Sequence, residues 1–328
     1  MNREVFEQKY EPVWRRLEIA LGLLETGRDR ASAEVDELPE LYRQVCHHLA
    51  LVRHRLYGAD LEQRLNSLVL RGHQQLYRSR AIDLGEAAEF IGSGFPRLVR
   101  SDRRLVGLAT LLFVIPLIVM GLLIQVRPDL ALAVIPAEQV EQIGDQYAPD
   151  GDLRAGRPAD SDLLMFGFYI RNNIGIAFRT FASGLLFGLG SIFFLVYNGI
   201  FIGAVGGYIQ EMGYGENFYP FVIGHGAFEL TAIVLSGAAG LRLGFALLAP
   251  GRLSRGQALL TAGRESVRIL YGAAGMLVIA AFLEAFWSSA ALVPPPVKYG
   301  VGAFFWAVVL LYLWLGGRTR RRLARENA

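Results

Sequence analysis

Along the first hundred positions, apolar residues recur at three- and four-residue spacing. Phe6, Tyr10, Val13, Leu17, Leu21 and Leu24 make one such series. Leu41, Val45, Leu49, Val52 and Leu56 make a second, and Leu61, Leu65, Leu68 and Leu76 a third. Each series lines one face of a helix, since a helical turn takes 3.6 residues. Three or four short-linked amphipathic helices predict a small bundle over residues 1–98. The pattern changes at residue 105. LVGLATLLFVIPLIVMGLLI (105–124) carries no charge and is long enough to cross a bilayer as a helix. Further apolar runs follow near 163–183, 184–210, 221–248, 269–287 and 299–316. No stretch alternates with the period of two that a half-buried strand needs. The predicted fold class is all-α, a polytopic transmembrane bundle over 99–328 behind a soluble helical domain over 1–98.

Two of the runs admit more than one arrangement. In 163–183, Asn172, Arg179 and Ser183 share one helical face while Phe168, Ile174, Phe178 and Phe181 cover others. That pattern suits either a span with a polar face or an interfacial helix. The run 184–210 carries Asn198 and Gly199 at its middle, so it reads as one span or as two half-helices. Charge supplies the topology. Arg97, Arg100, Arg103 and Arg104 precede the first span, Arg252, Arg255, Arg264 and Arg268 lie between two later ones, and GGRTRRRLAR follows the last. The positive-inside rule then places both termini in the cytoplasm and favours six crossings over four with a re-entrant pair. The segment 125–162 is acidic and holds four prolines; it is expected to be an irregular outer loop.

Composition agrees with a multi-pass protein of the inner cell membrane. The 328 residues are 53% hydrophobic and only 19% charged, with a mean hydropathy of +0.33, below the charged fraction usual for soluble domains. The net charge of +3 is too small to suggest a nucleic-acid partner. A single cysteine, Cys46, excludes an internal disulfide and a multi-cysteine metal cluster. Its neighbours His47 and His48 point apart on a helix, so Cys46 reads as a small buried hydrophobe.

Small residues and a few polar ones are the candidate chemistry. Gly184 and Gly188, Gly199, Gly203 and Gly207, and Gly240 and Gly244 are spaced by four, which lets helix backbones approach in lipid. Packing within the chain is favoured over a homo-oligomer face. In FVIGHGAFEL (221–230) His225 and Glu229 share a helix face. With Asn172, Asn173, Asn198 and Arg179 they form a candidate polar intramembrane core. Three readings stand: an intramembrane metallohydrolase, a small-solute or ion transporter with a proton relay, and a polar clasp between helices. Catalytic zinc needs three protein ligands, yet the other histidines lie in 1–98, and Glu211, Glu216 or Glu284 reaches the pair only through folding. No metal is therefore expected, His225 and Glu229 being the ligands otherwise, and the clasp is favoured. No nucleophile–histidine arrangement or phosphate loop occurs, so no catalytic residue is assigned and no cofactor is expected.

FYIRNNIGIAF (168–178), GLLFGLGSIFFLVYNGIFIGA (184–204) and GHGAFELTAIVLSGAAGLRLG (224–244) together resemble the membrane core of the stage II sporulation protein M family. The likeness covers roughly residues 100–320. It implies a membrane scaffold, which in the sporulating member works beside peptidoglycan-degrading hydrolases. Longer relatives often accompany MoxR-type AAA ATPases and von Willebrand A-domain proteins, which implies an assembly role. The added domain 1–98 departs from the sporulation protein and fits partner docking on the cytoplasmic side. The expected partners are the lipid bilayer, other membrane or envelope proteins, and a MoxR-type ATPase system.

Overall fold

The computed structural model describes residues 2–25, 37–76, 84–148, 159–290 and 292–318, and all regular structure among them is helical. The chain forms two compact units, Met1–Asp83 and Leu84–Ala328.

In the first unit, α1 (Arg3–Glu25), α2 (Leu38–Arg55) and α3 (Ala59–Leu76) bring the three apolar stripes into one core. Phe6, Trp14, Leu17, Leu21, Val45 and Leu65 are fully enclosed there. Gly58, at φ +115°, allows the tight turn between α2 and α3. Arg64 and Arg71 make bidentate pairs with Glu11 and Glu25. Such exposed pairs are worth at most about 1 kcal/mol each, so the apolar core dominates. Inside it, Trp14 Nε1 donates to His48 Nδ1 at 3.2 Å. Cys46 is half-buried, not buried as expected, because it sits between the enclosed face of Val45 and Leu49 and the exposed His47.

Residues 84–98 were grouped by sequence with the first domain, but they pack on the second unit. α4 (Leu84–Glu89), a π turn (Phe90–Gly94) and α5 (Phe95–Ser101) lead into α6 (Arg103–Val126). The Phe95 ring lies against Gly272. Arg100 donates to the carbonyls of Leu313, at 2.7 Å, and Gly316, capping a helix C-terminus where cations are favoured. After α6 come α7 (Ala131–Val134), α8 (Ala137–Tyr147), α9 (Ala159–Ala182), α10 (Leu189–Glu211), α11 (Gly215–Leu248), α12 (Arg255–Phe282) with a π turn (Leu283–Ser288), and α13 (Pro295–Leu315). Five of these, α6, α10, α11, α12 with its π turn, and α13, are long and apolar enough to cross a membrane.

The two ambiguous runs and the outer loop take definite forms. α9 runs along the bundle: Phe166 near its start meets Phe282 and Phe286, and the carbonyl of Phe181 near its end lies by Gly240. It is therefore antiparallel to α12 and buries Ala177 and Phe181 against the bundle, while Leu163, Leu164, Phe168 and Phe178 stay exposed. α10 is continuous through Asn198 and Gly199. It starts at Leu189 and not at 184, because Ser183–Leu185 form a 3-10 turn and Gly188 is left-handed at φ +83°. Residues 125–148 are not irregular, which corrects the expectation for that part of the loop. α7 and α8 lay Ile135, Ile143 and Tyr147 over Ile124, Ile209 and Phe221. Pro128 opens a 3-10 turn and Pro136 immediately precedes α8, positions where proline suits a helix start. Pro149 and Pro158, with the charges between them, lie outside the described residues.

Glycine sets the spacing of the bundle. A Cβ at Gly199 would fall on the carbonyl oxygen of Phe113, one at Gly203 on that of Leu117, and one at Gly207 would come within 2.9 Å of that of Gly121. α6 and α10 thus run parallel in backbone contact. Gly184 meets the Gly240 carbonyl and Gly244 meets Gly188 N, so all seven glycines face backbone of their own chain or its neighbouring turn. Outside, Leu111, Ile115 and Leu122 of α6 and Phe304, Leu310 and Trp314 of α13 are exposed. A belt of that kind suits lipid and not water. At one end, Arg242 donates to both Asp102 and Glu265. Burial pushes the Asp102 carboxyl up, with Arg242 opposing.

Gly203→Ala should lower the Tm of the detergent-solubilised protein, overpacking costing roughly 1–3 kcal/mol. Gly107→Ala, with open space around its Cα, should not. In the first unit, burial and the neighbouring His47 hold His48 below histidine's ordinary 6.5. Its neutral form is the one that accepts from Trp14, so stability is complete above about pH 6.5 and lost as pH falls further. Thermal melts of residues 1–83 should show a lower Tm at about pH 5.5 than at about pH 7.5, with the difference reduced in His48→Gln.

Candidate functional site

α11 carries His225 and Glu229 one turn apart on the face toward the end of α12. There the π turn Leu283–Ser288 widens the helix and brings Glu284 and Ser288 to meet them. Such single wide turns are common at functional sites. His225 Nε2 lies 4.0 Å from Glu229 Oε2. One ligating atom from each of His225, Glu229 and Glu284 lies within 4.8 Å of the others. On the far side of the imidazole, Nδ1 hydrogen-bonds Ser288 Oγ at 3.0 Å. Lys298 Nζ in turn donates to the Ser288 carbonyl at 2.7 Å. His225 and Lys298 are buried, and the Phe221 ring stands edge-on to the imidazole.

This cluster forms one end of a cavity of about 740 Å³ between α6, α10 and α11. Its walls are largely apolar, with Leu117, Phe201, Val222 and Leu230 among them, and Gln125, Gln210 and Tyr147 add polar atoms away from the cluster. Two carboxylates and an imidazole in such surroundings are costly if ionised and alone. They must share protons, draw on a cation, or both. The arrangement can therefore relay a proton, hold a cation, or lock α11 against α12 through hydrogen bonds.

The structure brings together only part of the core expected from sequence. His225 and Glu229 belong to the cluster; four other residues do not. Asn172 is exposed and donates to Asn173 Oδ1 at 3.0 Å. Asn173 is buried, and its Nδ2 has no partner among the described residues. Asn198 is buried but turns back to the Phe194 carbonyl of its own helix, at 2.7 Å. Arg179 points outward with Nε on the Gly175 carbonyl. Their positions on α9 and α10 face away from the cavity, whose lining includes none of them. Three residues enter instead. Glu284 was weighed only as a distant carboxylate, and Ser288 and Lys298 were not singled out. The signal for Glu284 was present: it is the sole charged residue between Arg268 and Lys298, and an isolated charge in an apolar run is a functional candidate.

A double-mutant cycle tests the cluster. His225→Ala and Glu284→Gln should be non-additive in unfolding free energy by about 0.5–3 kcal/mol, as for residues in one network. Asn198→Ala combined with Glu284→Gln should add within a few tenths of a kcal/mol, read from Tm shifts in the same detergent.

Comparison with known families gives two matches. The family profile described as Stage II sporulation protein M matches residues 109–289, and that described as Domain of unknown function (DUF8413) matches residues 4–78. No curated protein and no solved structure matches the chain. The first match takes in more than half of the sequence, including α9 to α12 and the whole His225–Glu229–Glu284 cluster. The chain is a membrane protein of the stage II sporulation protein M family, carrying an added N-terminal domain.

Proposed function

We propose that this protein is a multi-pass assembly protein of the inner membrane that uses residues 1–83 to engage a cytoplasmic partner and its bundle to hold envelope or membrane proteins. The observation that carries this reading is the division of labour within the chain. A self-contained helical unit with its own apolar core precedes a membrane unit whose helices are fastened by backbone contact. A rigid bundle suits a protein that must keep fixed surfaces on two sides of a membrane. Six crossings with both termini inside require α9 to cross beside the five long apolar helices, and the alternating directions of α6, α9, α10, α11, α12 and α13 support that. The gathering of Arg97, Arg100, Arg268 and Arg318 around one depression at the bundle end supports a cytoplasmic placement for that end. The family resemblance makes a MoxR-type AAA ATPase the first partner to try.

A second reading rests on the cavity. A half-open, largely apolar cleft ending in His225, Glu229 and Glu284 favours movement of a small solute or ion, or hydrolysis within the membrane. Purified full-length protein mixed with the MoxR-type ATPase of the same organism should co-elute on size exclusion, and deletion of residues 1–83 should abolish this. Glu229→Gln should leave it intact. Failure of the intact protein to bind, together with Glu229-dependent proton flux in proteoliposomes, would replace the assembly reading with the transport one.

A further inference from the structure

The cluster at the cavity end has the composition and surroundings of a metal centre. We propose that His225, Glu229 and Glu284 bind one divalent transition-metal ion, zinc being the first candidate, with a remaining coordination position opening into the cavity. The inference is independent of partner docking, since it concerns the membrane unit alone.

Four observations carry it. First, the three donors come from two separate helical turns and converge, each offering one ligand atom within 4.8 Å of the others. Four-coordinate zinc with bonds of about 2.1 Å holds its ligands roughly 3.4 Å apart. Closing the cluster around an ion thus requires side-chain rotations that move each donor by about 1 Å or less, with no backbone shift. Second, the imidazole is already oriented. Ser288 Oγ sits on Nδ1, which as an N–H would donate to that hydroxyl and leave the Nε2 lone pair toward the two glutamates. A hydrogen-bond partner on the non-ligating nitrogen is the usual companion of a metal-bound histidine.

Third, a cation offers these carboxylates an alternative to holding protons. Two glutamates share this apolar chamber, and the nearby Lys298 is engaged by the Ser288 carbonyl. A divalent ion would balance both carboxylates where a single lysine cannot. Fourth, all three donors line the cavity. Three protein ligands with an open position describe a reactive site, in contrast to the closed four-ligand structural type. The mixed nitrogen and oxygen set favours zinc, manganese or iron over magnesium or calcium, which take oxygen ligands.

The test uses full-length protein in detergent, purified without chelator and without a metal-affinity tag. Elemental mass spectrometry on wild type, His225→Ala, Glu284→Gln and Ser288→Ala should find close to one transition-metal equivalent in wild type and almost none in the first two. After metal removal, Zn²⁺ titrated against a chromophoric chelator should bind wild type at one site. Ser288→Ala should bind it about 10–100-fold more weakly, the usual loss when the hydrogen-bond partner of a ligating histidine is removed. His54→Ala, on the first unit, should behave as wild type. If a variant does not fold, Co²⁺ added to metal-free wild type decides: the visible bands of low-coordinate cobalt support the site. A wild type that neither retains metal, nor binds Zn²⁺ stoichiometrically, nor gives a Co²⁺ spectrum overturns the proposal. So does metal bound equally by folded His225→Ala and Glu284→Gln.

Discussion

Backbone-to-backbone contact at glycine is the constraint on which the membrane unit depends. Lipid tails are as apolar as leucine, so helices gain little from hiding apolar side chains from them. What remains is dispersion, which weakens steeply with separation, and hydrogen bonding. Gly199, Gly203 and Gly207 let α10 touch α6 along three turns, and Gly184 and Gly188 bring the α9–α10 turn onto Gly240 and Gly244 of α11. Small hydroxyls reinforce the same joints. Ser191 Oγ reaches the Thr180 carbonyl at 2.7 Å and Ser266 Oγ the Ala239 carbonyl at 3.1 Å. With these contacts made, α11 is enclosed by its neighbours and the outer faces of α6 and α13 are free to meet lipid.

That enclosure explains how a polar cluster persists between α11 and the α12–α13 end of the bundle. α11 is the most buried of the long apolar helices, so His225 and Glu229 face neighbouring helices and a cleft whose rim includes the exposed Ile118 and Leu122. The π turn of α12 then supplies the geometry. Glu284 and Ser288 stand four residues apart within it, so one face of the turn presents both to α11. Ser288 holds the imidazole from one side while its carbonyl engages Lys298 of α13. Three helices are thus tied at the point where charge enters the apolar interior, and the same network serves rigidity and chemistry alike.

The first unit is held together by different physics. Its core is a water-driven one, with Trp14, Phe6 and Leu65 enclosed and charged residues outside. Its stability is therefore tied to solution conditions, through the neutral His48 that accepts from Trp14.

The sequence by itself determined the all-helical class, the amphipathic bundle at the N-terminus, the apolar runs and the glycine spacing. Each of these follows from local periodicity or composition. His225 and Glu229 were legible for the same reason, since four residues apart on a helix is a local relation. Tertiary structure alone decided that α9 packs along the side of the bundle, that α10 runs unbroken through Asn198 and Gly199, and that α7 and α8 cover one end. It also decided the membership of the site. Asn172, Asn198 and Arg179 are polar residues at apolar depth, as His225 is, but they turn to a neighbouring side chain or their own backbone on other faces. Glu284 lies 55 positions beyond Glu229 and reaches it through the antiparallel pairing of α11 and α12 and a local change of helical pitch. Neither the pairing nor the pitch is written in residue spacing, because both arise from how whole helices fit together.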